Sequence, residues 1–424
     1  MSDLVPFSSM AWVNPPLSNP LPVLGMEVSF IPMQDVSDSG VWTHRQSRSI
    51  ESIGAGYTSF QDGDVLFAKI TPCMENGKGA HAIGLANGIG FGSTEFHVLR
   101  AKQGVCDRYI YHWCNSRDLR QAAEVQMTGS AGQKRVPADF FSRYEVQRLD
   151  LSEQRTIATI LDSIDNAIHH TEQMIEKLQK VKAGLLHDLL TFGLDENGEL
   201  RDPIRRPEQF KDSPLGRIPT EWEVESVNNL CFEIIDCKNR TPPITKDGHP
   251  VIRTPNVRDG LFILDNLVCT DPKSYTEWTA RGKPEPGDVV ITREAPYGEA
   301  CIIPDDIVPP CLGQRMMMYK PDPLKLNNEF LVQMIYSQRM QRLFLGLAGG
   351  STVGHLRVGD VRTLPIPHPK DVDEQKAIAD YMIGMNAQIA IERENLSKLT
   401  RCKQGLMRDL LTGKVPIPQG IVEL

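Results

Sequence analysis

Residues 152–190 read SEQRTIATILDSIDNAIHHTEQMIEKLQKVKAGLLHDLL. No proline interrupts these 39 residues. Apolar side chains recur at Ile157, Leu161, Ile164, Ile168, Ile175, Leu178, Leu185 and Leu189, with Thr171 and Lys182 as the polar breaks. Steps of four and three place all of these positions on one seam of a helix. At 1.5 Å per residue the helix would be roughly 58 Å long. A rod of that length is far longer than an ordinary globular helix, so its seam needs a partner helix.

The partner lies in the same chain. Residues 373–415 repeat residues 152–194 without a gap, at an offset of 221. The repeat pairs Glu153/Glu374, Gln154/Gln375, Ile157/Ile378, Ala158/Ala379, Ile168/Ile389, Lys177/Lys398, Leu178/Leu399, Gly184/Gly405 and Leu185/Leu406. It closes with Asp188-Leu189-Leu190-Thr191 against Asp409-Leu410-Leu411-Thr412. The second seam is Ile378, Met382, Met385, Ile389, Leu396, Leu399, Leu406 and Leu410, broken at Glu392 and Lys403. Two matched rods in one chain are most simply read as packing on each other, an intramolecular coiled coil.

At 424 residues the chain has room for two or more domains. Nine cysteines are scattered without a CxxC pair. That fits neither a zinc site nor a disulfide framework and suggests a reducing cytoplasm. Neither a secretory signal nor a membrane span is expected. The formal net charge of −8 argues against nucleic acid at first sight. Yet residues 96–135 and residues 312–362 each carry seven basic against three acidic side chains. A local excess can meet phosphate while the rest of the surface stays acidic; a solvated basic face is the plain alternative.

Around the rods, residues 27–150 read as mixed α/β, with strands over Val28–Ile31, Val65–Ile70 and Glu95–Leu99 and a helix over Tyr109–Glu124. A polar, proline-bearing connector covers 195–218. Residues 219–372 retrace the first domain weakly. Gly63-Asp64-Val65-Leu66-Phe67-Ala68-Lys69-Ile70-Thr71-Pro72 matches Gly287-Asp288-Val289-Val290-Ile291-Thr292-Arg293-Glu294-Ala295-Pro296. A helix over Asn328–Leu345 answers Tyr109–Glu124. Thr128-Gly129-Ser130-Ala131-Gly132-Gln133-Lys134-Arg135 is answered by Gly349-Gly350-Ser351-Thr352-Val353-Gly354-His355-Leu356-Arg357. The simplest alignment sets Arg135-Val136 on Arg357-Val358. Similar rods with diverged globular parts suit two recognition modules on one frame.

Glycine-rich loops followed by cations bring backbone N–H groups and side chains close to a phosphate or groove. The candidate nucleic-acid contacts on these loops and strand ends are Lys69, Thr71, Ser130, Gln133, Lys134 and Arg135 in the first domain, and Arg293, Ser351, Thr352, His355 and Arg357 in the second; a plain surface loop is the competing reading. Cations suit phosphate or guanine, and Gln133 suits adenine. Catalytic signatures are missing. The sequence holds no GxxxxGK[ST] loop and no HExxH. Asp322 and Lys325 lack the third acid of a nuclease set. Asn14-Pro15-Pro16-Leu17 resembles an adenine-methyltransferase motif, but it has Leu at the stacking position, and only thirteen residues precede it.

SEQRTIATIL and DEQKAIADYM opening the rods, KAGLLHDLLTFG and KQGLMRDLLTGKV closing them, SPLGRIPTEWEV before the second domain, and the GDVLFAKITP and GDVVITREAP strands together resemble the DNA-specificity subunit of type I restriction–modification systems. The resemblance implies an α+β chain in which two long antiparallel helices separate two mixed α/β domains: target recognition domain 1 over 1–151, a helical spacer over 152–194, a linker over 195–218, target recognition domain 2 over 219–372, a second spacer over 373–415 and a tail over 416–424. It also implies a non-catalytic subunit that reads bipartite double-stranded DNA. Its expected partners are two methyltransferase subunits and the restriction/translocase subunits. No cofactor or metal is expected on this chain; S-adenosylmethionine would sit on the methyltransferase partner. The competing reading is a coiled-coil assembly scaffold without DNA specificity.

Overall fold

Two helices, Leu151–Phe192 and Val372–Leu411, contain the repeated sequence. The structure is a computed structural model, and it describes residues 4–18, 23–54, 56–130, 132–349 and 354–416. The two helices start alike and then differ. At the first, Asp150 Oδ1 accepts from Glu153 N at 2.8 Å, and Glu153 Oε2 accepts from Asp150 N at 2.9 Å. This is a reciprocal capping box. At the second, Asp371 accepts from Asp373 N, and Glu374 turns to other partners. Its carboxylate accepts from Leu194 N (2.9 Å), Arg201 Nη1 (2.7 Å) and Trp222 Nε1 (3.0 Å). Each repeated glutamine ties its rod to a domain. Gln154 Oε1 accepts from Cys106 N, and Gln375 Oε1 accepts from Asn327 N. The first rod stops at Gly193, whose φ of +65° favours glycine. A Cβ there would come within 2.5 Å of Glu374.

The chain divides into two units, residues 1–173 with 393–424 and residues 174–392. In the first, a four-stranded antiparallel sheet has the order Ala11–Val13, Phe96–Ala101, Asp64–Ala68, Gly79–Ala82. A second sheet has the order Gln46–Ser49, Glu27–Ile31, Ile89–Gly92, Thr58–Gln61, with a parallel pair at its centre. Helices Asp107–Cys114, Arg117–Val125 and Phe140–Arg143 follow. Ile157 and Leu161 from the start of the first rod, and Met407, Leu410 and Leu411 from the end of the second, are buried in one core with Phe67, Tyr109 and Phe141. The rods are therefore antiparallel within this unit. Lys403 of one pairs with Asp165 of the other at 2.6 Å.

The second unit repeats the topology. Its four-stranded sheet has the order Cys231–Asp236, Met316–Pro321, Val289–Arg293, Tyr297–Ile302. The smaller sheet has the order Val268–Thr270, His249–Ile252, Cys311–Leu312, again with one parallel pair. Helices Asn328–Ile335, Gln338–Leu347 and Val358–Arg362 take the places of the three in the first unit. Its core joins the opposite rod ends, Leu189 and Leu190 from the first and Ile378 and Met382 from the second, to Trp222, Tyr319 and Phe330. These are the repeat equivalents of the rod residues in the other unit.

The sequence predicted one helix over Tyr109–Glu124 and one over Asn328–Leu345. Each is instead two helices. Ser116 breaks the first by accepting from Leu119 N, and Ser337 breaks the second by accepting from Met340 N. A serine hydroxyl satisfies an orphan N–H of a new first turn, so a cap wins over continuation. No helix among the described residues is long and apolar enough to cross a membrane. All nine cysteines are free.

Candidate nucleic-acid interface

In the first unit the strand Asp64–Ala68 runs out into Lys69. Lys69 N donates to Glu95 O at 2.9 Å, and Lys69 O accepts from Val136 N at 2.9 Å. Thr71 N donates to Lys134 O, and Thr128 and Arg135 exchange backbone bonds at 3.0 and 2.8 Å. The glycine-rich loop is thus a short hairpin zipped onto a strand end. Its tip is turned by Gln133 N on Ser130 O. Ser130, Gln133 and Lys134 are exposed, while Lys69 and Thr71 are half-buried. Two side chains are already engaged. Thr71 Oγ1 donates to Glu75 Oε1 at 2.7 Å. Arg135 grips Glu95 with two parallel bonds, Nε to Oε2 at 2.9 Å and Nη2 to Oε1 at 2.8 Å. That guanidinium holds the Glu95 carboxyl below the usual range despite partial burial. Behind the loop, His97 Nε2 bonds Val136 O at 2.8 Å. Burial holds its imidazole below the ordinary value, against the opposing pull of that bond. Asn14 faces the same histidine through its Nδ2 at 3.1 Å and accepts from Val98 N. The asparagine of the rejected Asn-Pro-Pro motif is therefore tied to the sheet.

The second unit builds the same frame from other residues. Arg293 N donates to Arg315 O at 2.8 Å, and Arg293 O accepts from Leu356 N at 2.9 Å. Glu294 bridges to His355 as Ile70 bridges to Arg135. Both frames also have a cis peptide before proline, at Thr71–Pro72 and Ala295–Pro296. Hydrogen bonding therefore sets Lys69 on Arg293, Glu95 on Arg315, Ile70 on Glu294 and Arg135 on His355. The sequence alignment of Arg135 with Arg357 is corrected by two residues. Arg357 is instead the exposed N-cap residue of Val358–Arg362. His355 is exposed and Arg293 half-buried; Arg293 Nη1 approaches Leu356 O at 3.4 Å. Ser351 and Thr352 lie outside the described residues.

Charges are rewired on this shared frame. The acid at position 95 is a base, Arg315, in the second copy. The acid there has moved to Glu294, which pairs with Arg315 Nε at 3.1 Å. Sequence reasoning missed Glu95, Glu294 and Arg315 as members of the site. For two of them a signal was available: Glu95 opens the strand read over Glu95–Leu99, and Glu294 follows the strand of the GDVVITREAP match; the strand that Arg315 precedes, Met316–Pro321, was not read from the sequence. Elsewhere, His112, Asp162 and Asp165 converge within 4.8 Å. Arg108 and His112 both bond Asp162, and Lys403 takes Asp165. The carboxylates are thus met by cations in an ion-pair network that joins domain to rod.

A sequence model described as the type I restriction modification DNA specificity domain matches residues 55–180 and 219–401. The chain belongs to the type I DNA-specificity family. As a specificity subunit it is a non-catalytic component whose role is DNA-sequence recognition. Its relatives include the Type I restriction enzyme EcoAI specificity subunit of Escherichia coli, 44% identical over 31% of this chain and 23% of that protein. A second Escherichia coli relative, the EcoEI specificity subunit, is 38% identical over 54% of this chain and 39% of that protein. The putative MjaX specificity subunit of Methanocaldococcus jannaschii is 26% identical over 84% of this chain and 79% of that protein. Among solved structures, the HsdS subunit from Thermoanaerobacter tengcongensis aligns with a TM-score of 0.50 at 17% identity, covering 97% of each chain. The S subunit from M. genitalium aligns with a TM-score of 0.55 at 13% identity, covering 97% of this chain and 96% of that one. At such identities these two alignments speak for the specificity-subunit fold.

Proposed function

We propose that this specificity subunit reads a bipartite double-stranded DNA target, one half-site per globular domain, and recruits the subunits that act on it. The partners in this reading are two methyltransferase subunits, which carry the S-adenosylmethionine, and restriction/translocase subunits, all in the cytoplasm. The observation that supports it most is the repeated frame with rewired charges. Two copies of one topology hold a strand end against the segment that leads into the next helix in the same hydrogen-bonded register, yet present different polar groups. A scaffold has no need of charges rewired at matching positions of a shared frame.

The rods supply the second half of the reading. Each is a single helix of 40 or more residues without a break, so the gap between half-sites would be set by stiff elements. Half-sites roughly one helical turn apart lie on one face of a duplex. Exposed Lys134 and Arg357 and half-buried Lys69 and Arg293 would supply the phosphate contacts that hold register. The test is selection from a library of randomised duplexes by the full chain in complex with its methyltransferase partner. Two short enriched blocks separated by an unread gap of fixed length are expected. No enrichment, or one contiguous block, contradicts the proposal.

A further inference from the structure

We propose that Arg135 and Arg315 are the guanine-reading side chains of their respective domains, each held in one orientation by a carboxylate, Glu95 and Glu294. This rests on the DNA-recognition reading and specifies which groups discriminate bases. A guanidinium has five N–H donors. Arg135 commits Nε and one Nη2 hydrogen to Glu95, and one Nη1 hydrogen to Gln133 O at 3.3 Å. One N–H remains on each terminal nitrogen. Guanine presents two acceptors, O6 and N7, in the major groove. The side chain is 43% exposed, so its free edge is accessible. A mobile arginine loses rotamer freedom when it docks; one braced by a carboxylate has already lost it.

Arg315 is braced at a different frame position and by a single ion-pair contact, Nε to Glu294 Oε2 at 3.1 Å, rather than by a two-bond grip; it is 45% exposed. Its backbone has a φ of +73°, in the left-handed region that non-glycine residues rarely enter. Backbone of this kind clusters at functional sites, where its neighbours over-determine it. Because the braced arginine sits on the hairpin in one domain and on the strand start in the other, the two domains would place their guanine contact differently along their half-sites.

The selection is repeated with Arg135→Lys, Arg315→Lys and Glu95→Gln, and thermal melting is used to confirm that each variant is folded. Lysine keeps the charge but not the two-pronged donor edge. Arg135→Lys should lose roughly 10- to 100-fold of discrimination at a single guanine in one half-site and none in the other. Arg315→Lys should do the same in the opposite half. Glu95→Gln, which removes the brace but not the reader, should relax the same base pair as Arg135→Lys. Affinity lost evenly over all sequences would make these arginines phosphate contacts and overturn the proposal. So would an unchanged motif in the variants. If the wild-type complex itself enriches nothing, the broader recognition reading fails and this one falls with it.

Discussion

Glu153 and Glu374 occupy the same place in the rod repeat, yet Glu374→Ala should cost several times more than Glu153→Ala. Glu374 is 10% exposed and faces Arg201, which is 5% exposed. Removing it leaves the N–H groups of Leu194 and Trp222 and most of the Arg201 charge without their acceptor. Breaking a buried pair from one side costs roughly 3–5 kcal/mol. Glu221 still reaches Arg201 but is 72% exposed, so the loss should fall near the lower figure, about 3 kcal/mol. Glu153 closes only a capping box with Asp150, and losing it should cost about 1 kcal/mol. Hydrogen exchange resolved to peptides gives the opening free energy of each unit separately. Glu374→Ala should loosen residues 189–201 and 372–382, with the first unit unchanged; Glu153→Ala should act weakly and only in the first unit. If the two substitutions come within about 0.5 kcal/mol of each other, the partner accounting at the second rod's start is wrong.

Other consequences are open to measurement. Burial holds His97 and His112 below the ordinary imidazole value, and the Asp162 hydrogen bond opposes this at His112. The unfolded chain therefore takes up protons first, so this contribution is complete above the ordinary imidazole value of 6.5 and is lost as pH falls below it. Thermal melts should show that slope in the first unit and a flatter one in a His97→Gln, His112→Gln double variant. Lys134→Ala should weaken binding evenly over sequences and lower the slope of log K against log salt by about 1, which titration at several salt concentrations would reveal. Leu161→Ala, at a fully buried seam position, should cost roughly 2–5 kcal/mol in denaturant unfolding, and Leu396→Ala, half-buried on the other seam, clearly less. Adding one heptad to both rods lengthens each by roughly 10 Å. The selected motif should then gain about three base pairs of gap, at 3.4 Å per step, and keep both half-site words.

Long-range order in this chain was legible wherever it was written as periodicity. The seam from Ile157 to Leu189 and its copy from Ile378 to Leu410 specified two rods, and their matched spacing specified that they pair. The domain frame was harder to read. The larger sheet has the same strand order in both copies, but few side chains repeat, because sheet pairing is made by backbone groups that leave no mark on sequence. The two-residue slip between Arg135 and His355 arose for that reason: the arginine at 357 looked like the match, while hydrogen bonding placed His355 there. Ion pairs were invisible for a different reason. Glu95 and Arg135 are 40 positions apart, and only the folded hairpin brings them together. The helix breaks at Ser116 and Ser337 were local and could have been read, since each serine follows a polar or aromatic residue where a first turn can be capped.

The most direct test is made in cells that hold the methyltransferase partner, with adenine methylation mapped across the genome in the presence and absence of this chain. Loss of the chain should abolish one two-part motif, both blocks together, and leave every other methylation motif in place. A map that keeps the same set of motifs without the chain would contradict its assignment as the subunit that chooses the sequence.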